Sequence, residues 1–205
     1  MLDILQYTLN FIDNDIDLCH LIMTCTHLFN SKFYFNRLID NEKILGISLY
    51  HHFTKIIINE KIINLPNAAT HLYFSFKFVT TINITIDYNI PSSVTHIFYG
   101  HGKVFGPRHR PTYIERSLTT LFGNNIPSSV THLVLNTYVE FDTVDCVPSS
   151  ITHLTLDDSF CAVPVSHAIH SNIKELMIGN FCDSELYHMN IFNIPKHVNI
   201  IFCDD

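Results

Sequence analysis

Beyond residue 60, apolar and polar positions follow a short phrase that recurs along the chain. One apolar residue is followed three positions later by a second, and two positions after that by a third. The sets are Ala69, Leu72, Phe74; Val94, Ile97, Tyr99; Val130, Leu133, Leu135; Ile151, Leu154, Leu156; Ile173, Leu176, Ile178; and Val198, Ile201, Cys203. The closing step of two is the alternation of a strand with one buried face. Each set predicts one short strand.

The words around these positions repeat as well. IPSSVTHIFY, IPSSVTHLVL and VPSSITHLTL start at residues 90, 126 and 147. Aligned on the proline, clear copies begin at Pro66, Pro91, Pro127, Pro148 and Pro195, and IHSNIKELMI places His170 in the proline slot. The proline is expected to start each strand, where its missing N–H harms nothing, and the Ser-Ser after it suits a turn. Successive starts lie 21 to 25 residues apart except for the 36-residue step from Pro91 to Pro127. A period in the low twenties is that of a leucine-rich-type solenoid. A single copy cannot bury its own apolar face, so copies must stack. The long step contains SLTTLFG, in which Leu118, Leu121 and Gly123 fall in the apolar slots too close to the next copy for a full turn. Residues 100–117 therefore read as an insertion or a damaged repeat. Lys103, Arg108, Arg110 and Arg116 make it a positive island, either a solvated loop or a contact for an acidic partner.

One outward slot holds His71, His96, His132 and His153, then Glu175 and Ile200. The next outward slot holds Tyr73, Phe98, Val134, Thr155, Met177 and Phe202. Strands about 4.8 Å apart should bring the histidines into a column. Three readings stand: imidazoles stacked as structure, a partner-binding face made of histidines and their apolar neighbours, or a metal site. Zinc needs nitrogens converging tetrahedrally, which a flat column does badly. Stacked imidazolium ions repel, so the column should titrate below the ordinary histidine range and the fold should lose stability on acidification.

The first 50 residues have another texture. Ile4, Leu5, Leu9 and Ile12, and then Leu18, Leu21, Ile22 and Cys25, recur at helical spacing, with Asp15 or Asp17 as a cap. Three short helices are expected, the last within NRLIDNEKILGI (36–47).

With 205 residues, a net charge of −7 and nearly half the residues hydrophobic, the chain is long enough for one substantial core. It lacks the basic face that nucleic acid calls for. No unbroken apolar run matches a membrane span and the N-terminus is no signal peptide, so a cytoplasmic protein with no nucleic-acid or membrane partner is expected. Its six cysteines form no C-x-x-C pair, which points to buried thiols rather than a zinc site. No nucleophile elbow, phosphate loop or H-E-x-x-H is present. His51, His52, His167, His170, Cys182 and His188 stand without a constellation. No enzyme activity, metal or cofactor is expected.

The phrases INLP (63–66), YNIP (88–91) and FNIP (192–195), each followed by a strand, resemble the FNIP repeat family. These leucine-rich-repeat-like solenoids occur in social amoebae and in giant viruses that infect amoebae, which would place a viral member in host cytoplasm. The resemblance runs from about residue 60 to the last residue of the chain. The order of Phe11, Ile12, Asp17, Leu18, Leu21, Thr24, Cys25, Leu28 and Phe29 resembles the second half of an F-box, though the leading Leu-Pro is missing. An F-box implies that Phe11, Ile12, Leu18, Leu21, Leu28 and Phe29 contact a Skp1-type adaptor of a cullin ubiquitin ligase, leaving the repeats to hold a substrate. The alternative is a helical cap over the first repeat, serving a stand-alone scaffold.

The fold class expected is thus α+β. A helical segment (1–50) precedes a leucine-rich-repeat-like β-solenoid (51–205) of about six units of roughly 22 residues. The partner face expected is His71, Tyr73, His96, Phe98, His132, Val134, His153, Thr155, Glu175 and Met177.

Overall fold

The computed structural model describes residues 35–40, 53–59, 65–75, 90–101, 126–136, 147–156, 169–179 and 194–202. Among them every regular element is a strand: β1 (Phe35–Asp40), β2 (Phe53–Ile58), β3 (His71–Ser75), β4 (His96–His101), β5 (His132–Leu135), β6 (His153–Leu156), β7 (Glu175–Ile178) and β8 (Asn199–Phe202). They form one sheet in chain order, β1 to β8, and every neighbouring pair is parallel. Parallel neighbours joined in sequence need a return path for each strand. This is the repeating, solenoid-like β architecture that the period implies. Among the described residues no helix is long and apolar enough to cross a membrane.

The repeat writes the core directly. Ala69, Val94, Val130, Ile151 and Ile173 are fully buried in the first slot, and Val198 nearly so. Leu72, Ile97, Leu133, Leu154 and Leu176 fill the second, and Phe74, Tyr99, Leu135, Leu156 and Ile178 the third. Cross-strand register carries each residue onto its equivalent: Leu72 opposes Ile97, Ile97 opposes Leu133, and Leu133 opposes Leu154. A buried parallel strand has to match its neighbours residue for residue, because a slip by one would turn its apolar set outward.

The turn ahead of each strand is equally regular. The amide of the first core residue donates to the carbonyl of the residue in the proline slot: Ala69 to Pro66 at 2.9 Å, Val94 to Pro91 at 3.0 Å, Val130 to Pro127 at 3.0 Å, Ile151 to Pro148 at 2.9 Å, Ile173 to His170 at 3.1 Å and Val198 to Pro195 at 3.0 Å. Proline therefore opens a β-turn and does not start the strand, which begins five residues later. Its carbonyl is what the turn uses, and its lack of an N–H costs nothing there. In IPSSV the two serines are the turn's central pair.

Four expectations change. The first concerns the helix within 36–47, because residues 36–40 belong to strand β1. Leu38, Ile39 and Asp40 pair in parallel with Lys55, Ile56 and Ile57. Tertiary pairing overrides the helical spacing there, and the helices over 1–34 lie outside the described residues.

The second is a copy that alignment on proline misses. Phe53, Ile56 and Ile58 occupy the three core slots, all fully buried, and Lys55 opposes His71. Third, the 100–117 segment is not wholly an insertion. Gly100 and His101 extend β4, where the register steps from Phe74–Tyr99 to Ser75–His101. Gly100 sits at φ 85, in the left-handed region that favours glycine, and this makes the bulge. The rest of that segment, with its four basic residues, and SLTTLFG lie outside the described residues.

Fourth, the last strand pairs one residue out of step. Asn199 opposes Glu175, Ile200 opposes Leu176, Ile201 opposes Met177 and Phe202 opposes Ile178, whereas the spacing from Pro195 put Ile200 opposite Glu175. Exposure does not follow the shifted pairing cleanly. Ile200 and Ile201 are both half-buried, and Phe202 is 49% exposed. Strand β8 has no described neighbour on its far side, so burial there is a weaker guide to orientation than the backbone pairing. Cys203 lies outside the described residues.

Candidate histidine and aromatic face

Between the core residues of each strand, two positions point away from the core. The first runs Lys55, His71, His96, His132, His153, Glu175 and Asn199 along the sheet, and the second Ile57, Tyr73, Phe98, Val134, Thr155, Met177 and Ile201. All ten residues expected on the partner face lie in these two columns, and from β2 to β7 every member of both is half-buried. Sequence reasoning missed Lys55 and Ile57 because Tyr50 stands where a proline would have marked the copy. The three-slot pattern in FTKIII and the threonine at 54 were the signal.

The imidazoles stack. Ring centroids lie 4.2 Å apart for His71–His96, 4.0 Å for His96–His132 and 4.2 Å for His132–His153. Tyr73 and Phe98 stack at 4.2 Å with planes 6° apart. Phe98 also lies 6.2 Å from His71 and 6.4 Å from His96 between centroids. The two columns thus touch at their Tyr73–Phe98 end.

A threonine before each histidine holds the ring. Thr70, Thr95, Thr131 and Thr152 place Oγ1 2.8 Å from Nδ1 of His71, His96, His132 and His153 in turn. The threonine backbone does a second job. The carbonyl of Thr70 accepts from the amides of Thr95 at 2.9 Å and His96 at 3.1 Å; that of Thr95 from Thr131 at 3.0 Å and His132 at 3.1 Å; that of Thr131 from Thr152 at 2.9 Å and His153 at 3.1 Å.

The oxygen's two lone pairs are then occupied. The hydroxyl of the following threonine lies 3.2 to 3.3 Å from this carbonyl in three copies, long for an O–H···O bond. We assign the hydroxyl proton to Nδ1, which leaves Nε2 carrying the proton in the neutral ring. The column presents N–H donors.

The same contacts resist protonation. Burial holds His71, His96 and His132 below the ordinary histidine range. Lys55 and His132 add to this at His71; His71, His153 and Lys55 add to it at His96. At His132 the neighbouring His96 and His153 act in the same direction, partly offset by Glu175. Burial also raises the Tyr73 phenol. A proton arriving at Nδ1 would further force the threonine hydroxyl to turn toward its crowded carbonyl.

The arrangement does not gather metal ligands. Parallel rings send their nitrogens out side by side, and among the described residues no group of three or more His, Cys, Asp or Glu converges as a metal site would. The degenerate copy shows what a histidine does off the column. His170 Nε2 donates to the Pro148 carbonyl at 3.1 Å, and its Nδ1 accepts from the Asn172 amide at 3.2 Å. Both ring nitrogens serve the turn. The six residues expected to meet an adaptor, Phe11 to Phe29, lie outside the described residues.

No family model, no curated protein and no solved structure matches this chain.

Proposed function

We propose that this chain is a non-enzymatic protein-interaction module of the FNIP-repeat kind, with the histidine and aromatic face as its contact surface. One observation carries the reading. From β2 to β7 the two outward columns form an uninterrupted, half-buried strip of imidazole, aromatic and aliphatic side chains. Such strips on otherwise solvated surfaces mark partner sites. Rings already held by stacking and by threonine lose little side-chain freedom when a partner docks.

A photo-crosslinking phenylalanine analogue at Phe98 tests it, expressed in the full chain in cells. A discrete polypeptide adduct is expected from Phe98 and none from Ser128, an exposed turn residue. Adducts from Ser128 but not Phe98 would move the contact elsewhere and end this reading.

Within that reading the chain is a substrate receptor, its N-terminal residues binding a Skp1-type adaptor. The F-box resemblance of Phe11 to Phe29 supports this step. Co-purification with the adaptor, lost on changing Leu18 and Leu21 to Asp, separates a receptor from a stand-alone scaffold.

A further inference from the structure

We infer that the face takes one acidic polypeptide segment, laid across the strands with carboxylates along Lys55, His71 and His96 and an apolar side chain against Tyr73 and Phe98. The inference rests on the partner-binding reading above and adds the chemistry of the partner.

The size of the strip selects a single segment. Five strand steps from β2 to β7 span about 24 Å, and two outward positions on one strand lie roughly 7 Å apart. That is the footprint of one stretch of chain. A stable contact between two folded proteins buries about 800 Å² on each side, more than a strip two side chains wide offers, so a second copy of this chain fits it poorly. The shape agrees. Imidazoles 4.0 to 4.2 Å apart stand closer than strands about 4.8 Å apart. The side chains therefore lean together on this side and make a shallow trough.

Charge sets the kind of segment and its direction. Lys55 closes the column at β2 and Glu175 closes it at β7, with four imidazoles between. Lys174 precedes Glu175 in the threonine column instead. Potential thus falls from β2 toward β7. The imidazoles present N–H donors that need acceptors, and Lys55 needs an anion. The chain as a whole carries −7, so any acidic ligand it binds must be held by local groups. Tyr73 and Phe98, stacked at the Lys55 end, supply the apolar anchor beside those donors.

The test uses the full chain and a fluorescent octapeptide, Glu-Leu-Glu-Ser written twice, read by anisotropy at pH 7.5 and low salt. Versions with Gln or Lys in place of Glu serve as neutral and basic probes. The acidic probe is expected to bind more tightly than the neutral one, and the basic probe not at all. Lys55→Glu should weaken the acidic probe about tenfold, and Glu175→Gln should tighten it about threefold, the scale of one exposed ion pair. Phe98→Ser should weaken it as well. The gain from Glu175→Gln cannot come from a misfolded variant, which would only lose binding. Equal binding of acidic and neutral probes, blind to both charge changes but lost with Phe98→Ser, would overturn the acidic-segment inference and leave the partner face standing. Acidic binding indifferent to Phe98→Ser and Lys55→Glu would place the peptide elsewhere and overturn it. No binding of any probe at about 1 mM, a Kd limit near −4 kcal/mol, would overturn it too.

Discussion

The imidazoles of His132 and His153 lie 4.2 Å apart between centroids with planes only 4° from parallel. Nothing in the strand backbone alone demands that. The rings are parallel because Thr131 and Thr152 hold each Nδ1 at 2.8 Å in the same way, on strands whose register puts one histidine directly opposite the other. Such a stack tolerates neutral rings and resists a row of cations.

Acid should therefore weaken the fold. His71, His96 and His132 have lowered pKa values in the folded chain, against about 6.5 in the unfolded one. Above that pH both states are neutral at these sites and their contribution to stability is complete. As pH falls below it, the unfolded chain binds protons that the folded column refuses, and stability drops. The loss levels off once pH passes below the folded values. Urea unfolding at pH 7.5, 6.5 and 5.5 should show a falling midpoint, and His96→Gln with His132→Gln should flatten the slope. An unchanged slope in that double variant would remove the column from the explanation.

Thr131→Val keeps the shape of the side chain and deletes the hydroxyl at Nδ1 of His132. It is expected to cost about 1–2 kcal/mol, the loss from a half-buried ring nitrogen left without its partner. The ¹⁵N shifts of His132 should change from a proton held on Nε2 toward a tautomer mixture. Unchanged shifts would contradict the tautomer assigned here.

Leu133 is fully buried in the middle column of the core, between Ile97 and Leu154 in register. Leu133→Ala should destabilise by about 2–5 kcal/mol through lost burial and the cavity left behind. Val134→Ala, one residue away but on the outward face, should cost much less. Comparable losses at the two positions in a denaturant titration would mean that the inward and outward assignment is wrong.

His170 replaces a proline and keeps the turn by other means. Its amide donates to no group among the described residues, while its ring bonds to Pro148 and Asn172. His170→Ala should cost about 1 kcal/mol from the lost ring contacts. His170→Pro should recover part of that, because a restrained φ lowers the entropy of the unfolded chain. Thermal melts ranking the proline variant below the alanine variant would show that the ring is needed for more than the turn.

Much of this was legible in the chain before any coordinates. The slots of Leu72, Ile97, Leu133, Leu154 and Leu176 follow from spacing, because a strand has period two and stacked repeats must agree in register. The histidine column follows from the same count. The strand at Phe35–Asp40 was hidden, since its residues also fit a helical spacing and only pairing with β2 decides between the two. Phe53–Ile58 was hidden because the proline that marks a copy is absent, although its three core slots are intact.

The sequence by itself determined which residues face inward, how many are buried per turn, and that histidines would line up. Local periodicity is enough for those, as each depends only on alternation along one strand. Tertiary structure alone decided the ends of the columns, Lys55 at β2 and the shifted register of Asn199 at β8, and the hold of each threonine on its ring. Those depend on which strands lie side by side and in what register, a relation between residues 16 to 36 positions apart that no local pattern contains.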